Sequence, residues 1–204
     1  IWMGDAGLAD TADIYDLPEY HRDGWGVGYG DALDVEANYL LLCDNLCDPT
    51  HVNYVHPSTL DNPDEINAPV TFEDKPWGVL TERFTPDSQP TGFVSAFGAH
   101  DGRVDMWQRY LMYTPSVSII DFGATAAGTG SFEGGGDGRI QVYSCHFMTP
   151  VTETRTIDRW LHVRNFRPDD ASVGDRISDQ FRIAFAEDKE ILQAVQAEED
   201  RHAG

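Results

Sequence analysis

The sequence predicts an α+β fold: an antiparallel sheet covered by helices on one side. Three observations carry that expectation. Residues 36–47 are mostly good helix formers, residues 67 to about 165 break into short strand-like segments, and Asp175 to Asp200 is a long amphipathic stretch. The 204 residues, 41% apolar and 11% aromatic, are enough to bury a core.

Residues 1–35 are rich in Gly and Asp, with Tyr15, Tyr20, Trp25 and Tyr29 scattered among them. This composition reads as a linker packed against another surface. In residues 36–47, Leu42 and Leu46 stand one helical turn apart. Asp48-Pro49 interrupts that helix, and a short second helical segment is expected from Asp48 to about His56. Pro57 biases His56 out of the α region. Strands are expected at residues 70–72, 78–81, 92–95, 118–120, 140–143 and 152–166, separated by Gly, Pro and Asp turns. The run Gly134-Gly135-Gly136-Asp137-Gly138 reads as one such turn; it has no Lys-Ser/Thr after it and does not fit a phosphate loop. In the last helix, Phe181, Ala184, Phe185, Asp188, Ile191, Leu192 and Val195 follow the spacing of one face.

The charge balance excludes several function classes. There are 35 acidic residues against 14 Lys and Arg, a formal charge of −21. Binding to nucleic acid or to an anionic membrane needs the opposite surplus. No stretch approaches the length of an apolar membrane span. Cys43, Cys47 and Cys145 form no disulfide framework, which suggests reduced thiols and a cytoplasmic setting.

Asp188 is the most informative residue. It falls on the apolar stripe, where a bare carboxylate is costly, so it needs an ion pair, hydrogen bonds or a metal. Arg159 and Arg164 are candidate ion-pair partners. His51 and His56 are the second signal. On a regular helix they point about 140° apart, and they converge only if the helix loosens or ends at His56. Cys43, Cys47 and His51, at four-residue steps, suggest zinc, but no fourth ligand follows the pattern. Two imidazoles and one carboxylate from two helices would make a set that leaves one face of Fe(II) open for O2 and substrate.

The segment from Asn38 to Pro57, Asn-Tyr-Leu-Leu-Leu-Cys-Asp-Asn-Leu-Cys-Asp-Pro-Thr-His-Val-Asn-Tyr-Val-His-Pro, resembles the iron-ligand segment of Rieske non-haem iron oxygenases. It is most similar to the vanillate O-demethylase and dicamba monooxygenase group. Ile1-Trp2-Met3-Gly4-Asp5 with Leu8-Ala9-Asp10 resembles that group's exit from the Rieske domain. The stretch His146 to Thr154, before Trp160 and Arg164, resembles its late strand pair, and Phe185 to Leu192 resembles its third-ligand helix. The resemblance implies a helix-grip (START-like) domain with a curved sheet and a long C-terminal helix. It implies Fe(II) held by His51, His56 and Asp188. Asp48 would bridge to a cluster-ligand His of a neighbouring subunit in a trimer, and Asn45 would lie close to the iron; an N-cap role for Asp48 is compatible with this.

The family's C-x-H and C-x-x-H cluster motifs do not occur in these 204 residues. The expected organisation is therefore residues 1–35 as a linker following an absent Rieske domain and 36–204 as a mononuclear iron catalytic domain, with little turnover by itself. The resemblance further implies a [2Fe–2S] Rieske cluster in the missing N-terminal domain, NAD(P)H delivering electrons through a separate reductase or ferredoxin, and a homotrimer. It implies O2-dependent monooxygenation or O-demethylation of a small aromatic, carboxylated substrate. Phe97, Trp107, Ile119, Phe122, Phe147 and Trp160 are candidate pocket walls, and His100, His146 and His162 are candidate polar contacts. The alternatives are a metal-free helix-grip module for a hydrophobic ligand and a zinc hydrolase using the same His pair.

Overall fold

A computed structural model describes residues 5–57, 59–98, 100 and 102–202. Seven antiparallel strands form one curved sheet: β1 (Gly26–Val35), β2 (Val70–Lys75), β3 (Gly78–Ser88), β4 (Val104–Tyr113), β5 (Val117–Ala126), β6 (Ile140–Thr152) and β7 (Arg155–Arg164). Their spatial order is β1-β7-β6-β5-β4-β3-β2, a meander closed at one edge by the first strand. Helices α1 (Tyr39–Asn45) and α2 (Val52–Val55) lie between β1 and β2, α3 (Gly92–Phe97) lies between β3 and β4, and α4 (Ala171–His202) follows β7.

Successive side chains of a strand point to opposite faces, so this sheet has two walls. The outer wall includes Ile119, Cys145 and Val163, and Tyr15, Leu17 and Trp25 pack over it. The inner wall faces the helices. There Val142 and Trp160 pack with Ile177 and Phe181 of α4. The buried stripe of α4 runs through Ile177, Phe181, Ala184, Asp188, Leu192 and Gln196. Ile191 and Val195, expected on this stripe, are exposed. Each sits one position before a buried residue, Leu192 or Gln196, at the edge of the buried face.

Three sequence expectations change. First, residues 26–35 are not linker. They form β1, which pairs with β7 from Gly26↔Arg164 to Val35↔Thr156. Their glycines are a packing requirement: a Cβ on Gly30 would stand 2.0 Å from the Trp160 ring, and one on Gly28 would stand 2.2 Å from His162 Nε2. Second, residues 92–95 are not a strand but belong to α3. Thr91 caps that helix, its Oγ1 accepting from the Val94 amide at 3.2 Å, and Phe93, Val94 and Phe97 are buried. A short apolar run reads alike in either state. Third, β4 is a strand that the sequence did not signal: seven of its ten residues are buried, Asp105 and Gln108 among them, so polar and apolar residues do not alternate along it. Ile1 to Gly4, part of the resemblance, lie outside the described residues.

His162 makes the fold sensitive to acid. Its Nε2 donates towards the Gly174 carbonyl at 3.2 Å, while its buried Nδ1 has no partner among the described residues. Protonating Nδ1 would place a charge where nothing accepts it, and burial pushes the pKa down to about 4. The folded value lies below that of the unfolded chain, so the unfolded chain binds this proton more readily. This stability is complete above about pH 6.5 and is lost as pH falls towards 4. The loss is on the order of 3 kcal/mol. Thermal melts between pH 7 and 4 should show that decline, and His162→Gln should flatten it. An equal pH slope in the variant refutes the assignment.

Candidate metal centre

The segment between α1 and α2 is shaped by local side-chain bonds. The Asn38 side chain caps α1, accepting from the Leu40 amide at 2.9 Å. After α1, Asp48 does not cap a helix directly. Its carboxylate accepts from the Thr50 amide and hydroxyl, both at 2.8 Å, in an Asx turn. That turn aims the Asp48 carbonyl at His51 Nδ1, 2.6 Å away. A carbonyl only accepts, so Nδ1 carries the proton and Nε2 is left free.

His56 ends α2 with φ −114° and ψ 55°, outside helical geometry. This departure resolves the 140° problem. Helix termination turns His56 back, and the two imidazole centroids come to 5.3 Å of each other. His56 Nδ1 donates to Glu187 Oε2 at 2.9 Å, and its Nε2 lies 3.2 Å from Asp188 Oδ1. His51 Nε2 lies 3.6 Å from the same oxygen. Asn45 Nδ2 donates to it at 3.0 Å. The potential ligand atoms of His51, His56 and Asp188 all lie within 4.8 Å of one another.

The donor set fits a divalent transition metal. Each imidazole has its Nδ1 tied to an acceptor and its Nε2 directed at the carboxylate, an orientation such centres use. Burial lowers the His51 pKa, keeping a lone pair available despite Asp188. Burial also opposes a charged His56, but Asp188 and Glu187 together outweigh it and raise its pKa. A metal needs both imidazoles neutral, so affinity falls in acid.

The ion-pair expectation for Asp188 is corrected. Arg159 is exposed, and Arg164 bonds the carbonyls of Arg167, Pro168 and Asp170. The zinc pattern is not assembled either: Cys47 turns towards Thr81, while Cys43 lies against Met148. Among the described residues, His51, His56 and Asp188 are the one group that brings three metal-ligating side chains together.

Beside the centre opens a pocket walled by Leu60, Tyr110, Ile120, Phe122, Phe181 and Phe185. Of the six aromatic and aliphatic wall candidates only Phe122 lines it. Trp107, Ile119 and Phe147 belong to the opposite parity of their strands, and the Trp107 indole instead donates to Asp121 at 2.9 Å. Phe97 packs against Phe93 and Phe166, and Trp160 stands behind Phe181 and Phe185. None of the three candidate histidines reaches the pocket. His146 bonds Asp158 at 2.7 Å and Ser144 at 3.0 Å, His162 bonds near Gly174, and His100 lies beside Gly98 and Gly138. Sequence reasoning missed Glu187; its position one residue before Asp188 was the available signal. It also missed Gln108, Tyr110 and Ser144 on the pocket wall.

The family model for the vanillate O-demethylase oxygenase C-terminal domain matches residues 35–204. The chain is 33% identical over 201 residues to a vanillate O-demethylase oxygenase subunit of Pseudomonas sp. (strain ATCC 19151), covering 96% of this chain and 61% of that protein. It is 34% identical over 206 residues to the oxygenase component of a chloroacetanilide N-alkylformylase of Rhizorhabdus wittichii (strain DC-6 / KACC 16600), covering 98% and 57%. The chain thus spans less than two thirds of each of these relatives. The crystal structure of dicamba monooxygenase bound to 3,6-dichlorosalicylic acid has the same fold, with a TM-score of 0.88 at 23% identity over 98% of this chain and 58% of that one. With a family match over residues 35–204, the chain belongs to the vanillate O-demethylase oxygenase C-terminal domain family, the catalytic domain of Rieske oxygenases.

Proposed function

We propose that this chain is the oxygen-activating domain of a Rieske-type oxygenase, carrying out monooxygenation or O-demethylation of an aromatic substrate. The observation that carries the reading is the convergence of two imidazole Nε2 atoms and one carboxylate oxygen beside an apolar pocket. His51, His56 and Asp188 would hold Fe(II), and the iron would supply O2 activation with one face open to the pocket. Asn45 fixes the Asp188 carboxylate by its 3.0 Å bond. Glu187 fixes the His56 ring. The apolar wall holds the ring of the substrate and keeps bulk water out.

Electrons would come from NAD(P)H through a reductase or ferredoxin and a [2Fe–2S] cluster on an N-terminal domain. In a homotrimer the half-buried Asp48 would stand between the neighbouring cluster domain and His51, which its carbonyl contacts. A cytoplasmic location fits this electron supply. Among the described residues no helix is long and apolar enough to cross a membrane. A carboxylate on the substrate follows from the resemblance alone, since no Lys or Arg lines the pocket. The metal-free reading required Asp188 to be paired with arginine, and its partners are Asn45, His51 and His56.

Anaerobic loading with Fe(II) tests the reading. The chain should retain close to one iron per molecule after desalting. A chain that retains none, or that hydrolyses esters with Zn(II) and no O2, overturns it.

A further inference from the structure

We propose that Tyr110 orients the substrate, and that the pocket takes an uncharged ring carrying one hydrogen-bond acceptor. This deepens the oxygenase reading by naming the substrate class of the same site. Tyr110 sits on the inner face of β4, paired with Thr81 on one side and Ile120 on the other. It is 3% exposed and lines the pocket. No hydrogen bond joins its hydroxyl to any described residue, and the hydroxyl is not among the fully enclosed unpaired atoms, so it borders open space. A largely buried hydroxyl left open at a cavity wall points to a partner that enters the cavity. Burial raises the Tyr110 pKa, and the hydroxyl stays a donor at neutral pH.

The neighbouring polar side chains of the wall, Gln108 and Ser144, are held by other residues. Gln108 Oε1 accepts from Arg83 Nε at 2.9 Å, and its amide nitrogen lies 3.5 Å from Glu65. Ser144 is hydrogen-bonded to His146. The rest of the wall is apolar, with Leu60, Ile120, Phe122, Phe181 and Phe185 facing the space. Tyr110 therefore supplies a free donor on the apolar side of the chamber.

Charge narrows the class further. Arg83, the cation behind Gln108, is neutralised by Glu65 at 2.9 Å. At the metal centre, two positive charges on Fe(II) would be matched by Asp188 and by Glu187, which holds His56. A carboxylate entering this pocket would lose its hydration and meet no net positive charge. An ether, carbonyl or nitro oxygen needs one donor, which Tyr110 supplies.

Three probes of nearly one shape test this: acetophenone, α-methylstyrene, which replaces the carbonyl by a vinylidene group, and benzoate. Dissociation constants are measured by ligand-observed NMR on the wild-type chain and on Tyr110→Phe, with melting curves to confirm folding. Acetophenone should bind wild type more tightly than benzoate, and Tyr110→Phe should weaken acetophenone by about 3- to 10-fold, the worth of one hydrogen bond, while leaving α-methylstyrene unchanged. Equal loss for acetophenone and α-methylstyrene means that Tyr110 only shapes the wall and overturns the proposal. Unchanged acetophenone affinity, as when a bound water satisfies the hydroxyl, overturns it too. So do benzoate binding more tightly than acetophenone and a failure of all three probes to bind. Fe(II) retention, measured on the same samples, reports on the oxygenase reading separately from these affinities.

Discussion

Replacing Asp188 with alanine should weaken Fe(II) binding by at least about 100-fold while leaving the fold intact. The lower bound comes from metal centres in which loss of a group merely supporting a ligand costs about 10- to 100-fold; removing the ligand itself should cost more. Nothing nearby substitutes for the lost carboxylate. Asn45 is a neutral amide, and the carboxylate of Glu187 is turned to the far side of His56. The fold should survive because Asp188 is a buried acid without a cationic arginine beside it. Its loss removes a desolvation cost along with its hydrogen bonds. Competition against a chromophoric chelator gives the affinity, and circular dichroism reports the fold. Asp48→Ala is the control. Its contact with His51 runs through the backbone carbonyl, so iron affinity should move only a few-fold. Equal Fe(II) affinity in Asp188→Ala and wild type would sink the ligand assignment.

Arg83→Met should be the most destabilising substitution away from the metal centre. Arg83 and Glu65 form an ion pair with both side chains nearly inaccessible to solvent, at 2% and 1% exposure. Removing the cation leaves a bare carboxylate in the interior, which costs about 3–5 kcal/mol. For a chain of this size that corresponds to a melting temperature lower by roughly 6–20 °C. Burial already pushes the Glu65 pKa up to about 7, so part of the variant's response should be protonation of Glu65, with stability recovering as pH falls. The double change Glu65→Gln with Arg83→Met should restore much of the loss, because two charges then leave together. If the single variant melts within a degree or two of wild type, the pair is not holding the fold. The same pair anchors Gln108, so a loosened pair should also disturb the pocket wall.

The long last helix and the interrupted α1–α2 segment were legible because their signals are local. Apolar spacing, an Asn cap and Pro57 each act within a turn of the chain. The cluster of His51, His56 and Asp188 was legible for a different reason. Asp188 violated its own stripe, and such a violation needs a partner. The pocket wall was not legible. Trp107, Ile119 and Phe147 are large and apolar, as wall residues often are, but the N-terminal segment makes the outer face of this sheet apolar too. With both faces dry, hydrophobicity does not say which parity faces the helices. Strand β1 was missed because close packing against Trp160 and His162 demands glycines, and glycines in sequence suggest a linker. Strand β4 was missed because it is buried on both faces, so its polar residues are satisfied by partners far away in sequence.

The two-walled sheet also constrains how this domain can acquire new specificity over evolutionary time. Positions 108, 110, 120, 122 and 144 face the chamber, while 107, 119, 121 and 145 face the other side of the sheet, where Ile119 and Cys145 pack with the N-terminal segment. A one-residue insertion or deletion within β4 or β5 would exchange these sets wholesale, bringing Ile119 and Asp121 inward and turning Ile120 and Phe122 out. Lineages that change substrate are therefore confined to point replacements at every second strand position. Length variation is left to the connections between elements, such as the stretch around Leu60 that leads from α2 towards β2.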